Sequence, residues 1–389
     1  MSRLFLSVAR PRHVLLGLAA AFALLFAVTL LPSRAAPVSA SSSTCDPPLP
    51  HATGTFPDET FTPTGSTERT YRLHVPSSYD GGQATPLLFN FHGFTSNPFD
   101  QDIYSQLPQT AETEGFILVT PQGTLNDDGL AFWNSSQKPP PAPDDVGFVD
   151  QLLTSLQSQL CIDPARVFST GISNGGFMSS RLACVLSDRI AAIAPVAGTA
   201  FYGSCDARPV PVIAFHGTND LLVALGPIEN TAIPGWASHN ACTGPTEQDP
   251  LAGTVGVRLV RYDGCDDNAT VELYVNFDVD TVTPGDQGGG HTWPGSTLVL
   301  PPAFKDLLGQ TTQEISANEL MWDFFVAHPL PTLAKPVGGI SLDSDLRPLP
   351  LATANPGRSP WAVLAGIVGA ASLLALGGGA WYGRQRWLT

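Results

Sequence analysis

The chain is short of positive charge. Its 389 residues include 19 lysines and arginines against 34 aspartates and glutamates, a formal charge of -15 at neutral pH. A chain so acidic lacks the basic footprint that phosphate backbones require, so nucleic-acid binding is set aside. Cysteine is sparse as well, at six residues. None of the six stands at Cys-x-x-Cys spacing or in a Cys/His cluster of the kind that holds zinc, so no metal is expected. Disulfides are the better reading, and they require an oxidising compartment. No internal repeat is present, while 43% hydrophobic residues are ample for a globular core.

Both ends carry apolar runs. Arg3, Arg10 and Arg12 precede one at 14–31, and Val38-Ser39-Ala40 resembles a small-residue cleavage site. Residues 1–40 therefore read as a secretory signal, with an uncleaved anchor as the alternative. A second run at 361–383 is free of charge, and Arg358, Arg384 and Arg386 flank it. That length crosses a bilayer, with Trp361, Trp381 and Tyr382 at interfacial positions and the basic tail 384–389 inside. Residues 331–360, rich in Pro, Gly and Ser, read as a tether. The expected organisation is a single domain over 41–330, held outside a membrane.

Within that domain, apolar or alternating runs at 70–75, 87–91, 116–120, 167–170, 192–196, 210–215 and 271–275 predict strands. A helix is predicted over 145–160 from the spacing of Val149, Leu152, Leu153, Leu156 and Leu160 behind an acidic first turn. Another follows residue 173, with Phe177, Met178, Leu182 and Val185 on one side. Strands alternating with helices predict an α/β fold, a mostly parallel central sheet with helices on both faces. Ligands of such sheets bind beyond the carboxyl ends of the strands.

Three residues in that zone have the chemistry of nucleophilic catalysis. Gly171-Ile172-Ser173-Asn174-Gly175 spells G-x-S-x-G between a strand and a helix, a turn that pushes a serine hydroxyl out beyond the sheet. A serine is a poor nucleophile at neutral pH, so a base must take its proton and a third group must orient that base. His216-Gly217-Thr218-Asn219-Asp220 puts a carboxylate after a strand, and Gly288-Gly289-Gly290-His291 puts an imidazole in a glycine-rich loop. The chain order Ser173, Asp220, His291 suits a strand-end triad. Asp278, Asp280 and Asp286 compete for the acidic role, and His92 and His216 for the basic one, although their His-Gly steps after buried strands look like supports. For the oxyanion, the N–H of Asn174 and that of Phe94, in His92-Gly93-Phe94-Thr95, are the expected donors.

These blocks resemble the secreted polyhydroxybutyrate depolymerase and feruloyl and acetylxylan esterase family. The resemblance covers roughly 65–325. It rests on 144–149 (Asp-Asp-Val-Gly-Phe-Val), on 161–167 (Cys-Ile-Asp-Pro-Ala-Arg-Val) and on 170–178 around Ser173, together with Phe215-His216-Gly217-Thr218-Asn219-Asp220 and Gly289-Gly290-His291-Thr292-Trp293-Pro294-Gly295. It implies an α/β-hydrolase fold, no cofactor, and hydrolysis of carboxylic esters, polymeric ones included, through an acyl-serine on Ser173, with His291 as base and Asp220 as orienter. A serine peptidase and a non-catalytic surface binding module are the alternatives. The chain departs from the family pattern at 221–226 (Leu-Leu-Val-Ala-Leu-Gly) and at Asn240-Ala241-Cys242, so one edge of the cleft differs. Trp133 and Trp293 either line that cleft or are packed. Pairing of Cys242 with Cys265 and of Cys184 with Cys205 is expected, leaving Cys45 and Cys161, although sequence alone does not fix connectivity.

Overall fold

A computed structural model describes residues 44–331 except 204, 206, 278–288 and 300, and at 303 and 305 it describes the backbone alone. The signal segment 1–40, the tether from 332, the span 361–383, the tail 384–389 and the carboxylates Asp278, Asp280 and Asp286 lie outside the described residues. Among the described residues no helix is long and apolar enough to cross a membrane.

Ten strands form one sheet: β1 (Gly54–Phe61), β2 (Arg69–Val75), β3 (Thr85–Phe91), β4 (Ile117–Pro121), β7 (Ile162–Ile172), β8 (Ala192–Val196), β9 (Val212–Gly217), β10 (Thr243–Gln248), β11 (Val257–Asp263) and β12 (Val271–Asn276). A separate hairpin pairs β5 (Thr124–Leu125) with β6 (Ala131–Phe132). The sheet order is β1-β2-β4-β3-β7-β8-β9-β12-β11-β10. The six strands from β4 to β12 run parallel, and antiparallel strands close both edges. From β3 the chain goes to β4 on one side, and β7 lies on the other. That reversal opens a crevice between the carboxyl ends of β3 and β7.

Among the described residues the helices of seven or more residues are α1 (Pro98–Ser105), α2 (Leu107–Glu114), α3 (Asp145–Gln157), α4 (Asn174–Val185), α5 (Ile233–His239), α6 (Pro302–Leu308) and α7 (Ala317–Ala327). Alternate strand residues feed two cores, since successive side chains point to opposite faces. Leu87, Phe89 and Phe91 of β3 join Phe148 and Leu152 of α3 and Met178 and Leu182 of α4 in one core. Leu88 of β3 joins Leu107 of α2 and Met321 and Phe325 of α7 in the other.

Two local expectations are corrected. Val185 does not lie on the buried side of α4: it is 42% exposed, and Phe177 is half-buried. Met178 and Leu182 are buried as expected, and the rest of the buried stripe is made by small residues that let the helix settle on the sheet; Ser169 Oγ donates to Ser179 Oγ at 2.8 Å. The strand expected at 210–215 runs two residues later. Pro211 has no N–H for a ladder, and the Val210 N–H is taken by Asn240 Oδ1 at 3.0 Å.

Disulfides join Cys45 to Cys161, Cys184 to Cys205 and Cys242 to Cys265. The first ties the start of the described chain to the residue before β7. The last described residues reach the same place, where Leu330 N donates to Ala165 O at 2.8 Å.

Candidate active site

Ser173 stands between β7 and α4 with φ 56° and ψ −120°, a backbone state that costs a non-glycine residue about 1–3 kcal/mol unless its surroundings enforce it. Here they do. Ser173 N donates to Val196 O at 2.9 Å and its carbonyl accepts from Phe177 N at 3.0 Å. Gly175 is required by crowding, because a Cβ there would overlap the carbonyls of Phe91 and His92. The serine is half-buried, at the end of the crevice between β3 and β7.

Asp220 lies three residues beyond β9. Its carboxylate is fully enclosed and turned by its own loop: Oδ1 accepts from Leu222 N at 2.9 Å and from Val223 N at 2.8 Å. Oδ2 accepts from His291 Nδ1 at 2.7 Å. Burial works to raise the Asp220 pKa, but the hydrogen bond and charge of His291, the Val223 N–H and the nearby His216 outweigh it, and the net shift is downward. The carboxylate therefore stays ionised.

His291 is 5% exposed and held by backbone on both sides. His291 N donates to Leu308 O at 2.6 Å, Gly290 N to Gln310 O at 3.1 Å, and Asn219 N to Gly289 O at 3.0 Å. Gly289 has φ +50°, and a Cβ there would overlap the Asn276 carbonyl, so the loop can close on β12 only with glycine. Ser173 thus follows the carboxyl end of β7 and the Asp220–His291 pair that of β9, strands whose backbones, with β8 between them, run about 10 Å apart.

Neither rival histidine is free to act as a base. Gly123 N donates to His92 Nε2 at 2.9 Å, so Nδ1 carries the proton and donates to Gly93 O at 2.7 Å. His216 is buried, its Nε2 donates to Val223 O at 2.8 Å, and it stands 3.5 Å from Asp220 Oδ2. Burial, with Arg69 adding to it, lowers the His92 pKa from 6.5 to about 4. Below about 6.5 the unfolded chain takes up a proton that the folded chain refuses until about 4, so stability is full above that window and falls as pH drops through it. The urea midpoint is expected to decline between pH 6.5 and 4. In His92→Gln, which has no such proton to gain, the decline is expected to be shallower; an identical decline in both proteins would overturn this assignment.

Trp133 and Trp293 do not line an open cleft. Trp133 is 2% and Trp293 0% exposed, because each indole N–H is spent inside the protein: Trp133 Nε1 donates to His92 O at 3.0 Å and Trp293 Nε1 to Asn318 Oδ1 at 2.8 Å. Exposed apolar residues do stand in the loops that carry the site, namely Phe94 after β3 and Leu221 and Leu222 next to Asp220. Leu221 and Leu222 belong to the segment that departs from the family pattern.

A buried ion pair is invisible in the sequence pattern. Arg69 Nη1 donates to Asp145 Oδ1 at 2.6 Å, Arg69 Nη2 to Gln122 O at 2.8 Å, and Asn134 N to Asp145 Oδ2 at 2.6 Å. Its one signal is the acidic start of α3, where Asp144 is the cap and Asp145 turns inward. Among the described residues, no group of His, Cys, Asp or Glu could hold a metal ion.

No family model matches the chain. Feruloyl esterase B of Piromyces equi is 32% identical over 221 residues, which are 52% of this chain and 40% of that protein, so the chain spans less than half of that relative. Feruloyl esterase C of Emericella nidulans is 30% identical over 207 residues, 51% of this chain and 71% of that protein. An acetyl xylan esterase from Aspergillus awamori superposes with a TM-score of 0.47 at 16% identity, covering 64% of this chain and 97% of that one. Taken with the sequence blocks around positions 173, 220 and 291, the identity to the Emericella enzyme over most of its length settles the kinship: the chain belongs to the feruloyl and acetylxylan esterase family.

Proposed function

We propose that the protein is a serine esterase that hydrolyses phenolic or acetyl carboxylic esters through an acyl-Ser173 intermediate. The observation that carries the reading is the strained Ser173 turn after β7 together with a buried, hydrogen-bonded Asp220–His291 pair after β9, at the same end of the parallel strands. Asp220 holds the Nδ1–H tautomer, which leaves His291 Nε2 unprotonated and basic. His291 takes the Ser173 proton as Oγ adds to the ester carbonyl, and the N–H groups of Phe94 and Asn174 receive the oxyanion. The tetrahedral adduct then expels the alcohol, which leaves with the proton that His291 returns. Water, deprotonated by His291, adds to the acyl-enzyme and the acid departs with Ser173 restored.

The exposed Leu221 and Leu222 beside Asp220 favour a second reading of the substrate, an aliphatic hydroxyalkanoate ester or oligomer lying along an apolar rim. Three disulfides support an extracytoplasmic, oxidising compartment. Anchoring through 361–383 is part of the proposal and rests on the sequence alone.

The test treats the full chain with an alkyl fluorophosphonate and assays methyl ferulate, an acetyl ester and a hydroxybutyrate oligomer in parallel. One phosphonyl group per chain, on the peptide that carries Ser173, is expected together with loss of all ester hydrolysis. An adduct on another residue, or hydrolysis that survives full labelling, would overturn the reading. The preferred substrate in the unlabelled enzyme separates the two ester classes.

A further inference from the structure

We infer that Trp133 is a positioning residue that sets the separation of the two oxyanion donors, Phe94 and Asn174; the inference rests on the acyl-serine reading above. The two N–H groups belong to separate segments, Phe94 to the loop after β3 and Asn174 to the first turn of α4. Oxyanion stabilisation needs both donors aimed at one oxygen to within a few tenths of an ångström. Nothing in the sequence links the two.

Residues 131–133, at the end of the small β5–β6 hairpin, lie between these segments and bond to both. Toward the first, Trp133 Nε1 donates to His92 O at 3.0 Å, and Thr95 N donates to Ala131 O at 2.8 Å. Those bonds fasten the residues on either side of Gly93-Phe94. Toward the second, Trp133 N donates to Asn174 Oδ1 at 2.7 Å and Asn174 Nδ2 donates to Trp133 O at 3.0 Å. A primary amide that pairs with both polar groups of one peptide residue leaves its own backbone little freedom to turn.

The indole itself cannot shift. It stands edge-on to Phe91 at 4.9 Å between centroids, lies 5.2 Å from the His92 ring, and has the Arg69 guanidinium over it at 5.3 Å. His92 is fixed from its far side by the Gly123 N–H. One buried residue thus holds the end of β3 by its ring nitrogen and the serine turn by its backbone. Trp133 touches no reacting atom and acts through Phe94 and Asn174. Asn174, the residue after the nucleophile, gains a role for a side chain that proton transfer does not use.

Trp133→Phe removes the ring N–H and keeps an aromatic ring, while Asn174→Ala removes the amide and keeps the backbone donor. In the full chain each variant is expected to lower kcat for methyl ferulate by about 10- to 100-fold, less than outright loss of a donor, with KM changed by no more than about threefold. Each should weaken a trifluoromethyl ketone, which forms a serine-bound oxyanion, by the same factor as kcat. The double variant should lose less than the product of the two, because both act on one geometry. Unchanged kcat, a loss expressed in KM, or a fully multiplicative double variant would overturn the inference. If Trp133→Phe does not fold, Asn174→Ala, at a residue that is only half-buried, gives the same kcat and inhibitor readouts. Ser173→Ala separates the two levels: activity retained there overturns the acyl-serine reading, whereas a dead Ser173→Ala beside unaffected Trp133→Phe and Asn174→Ala overturns this inference alone.

Discussion

Ser173→Ala is expected to lower kcat/KM for methyl ferulate by about 10⁴-fold or more, leaving only what oxyanion stabilisation and substrate binding give without a nucleophile. The size of the loss follows from covalent catalysis, since with no Oγ there is no acyl-enzyme and a water would have to attack unassisted. The fold should not change. Alanine has the same Cβ as serine, so the φ of 56° at this position is no harder for it to hold, and the bonds from Ser173 N and to Ser173 O are made by backbone. An unfolding midpoint equal to that of the parent, measured beside the kinetics, assigns the loss to chemistry. Near-normal hydrolysis by Ser173→Ala would remove the nucleophile assignment.

Asp220→Asn is expected to cost about 10³- to 10⁴-fold in kcat, with substrate affinity little changed. The amide is the same size as the carboxylate, but its Nδ2 would face His291 Nδ1 as a donor. The imidazole would then carry its proton on Nε2, where it cannot accept one from serine. The two backbone donors at Asp220 Oδ1 fix which end of the group is an acceptor, and this forces the wrong tautomer rather than allowing the amide to flip. His216, 3.5 Å from Oδ2, gives its proton to Val223 O and cannot replace the lost charge. Full activity in Asp220→Asn would move the orienting role to another carboxylate, with Asp278, Asp280 and Asp286 the first to replace.

The central strands are readable because they are buried on both faces, which turns β3, β8 and β9 into nearly continuous apolar runs. The edges are not. All six residues of β10 are exposed, so it is held through its backbone and leaves no pattern of side chains to read; β1 alternates half-buried with exposed residues around a proline. Ser173, Asp220 and His291 stand out as candidates because a polar side chain in a glycine-rich loop just past a buried strand has little packing to do there. Trp133 is different, since the sequence does not say which way an indole faces. Its partner Asn174 lies 41 residues away, and no local spacing joins them. The Val185 expectation fails for a related reason: hydrophobicity marks only part of the buried face of α4, Met178 and Leu182, because the close seat of that helix on β7 fills the rest with serine, alanine and glycine.

The Cys45–Cys161 link and the Leu330–Ala165 hydrogen bond bring the first and last described residues to the amino end of β7, while Ser173 follows its carboxyl end. Those ends are separated by the length of the strand, on the order of 30 Å. A bead, pore wall or fusion partner joined directly at residue 44 or residue 331 would therefore sit at the pole opposite the serine. The same closeness of the two ends makes residues 44–331 a natural candidate for circular permutation, with new termini in an exposed loop at the same amino end of the sheet.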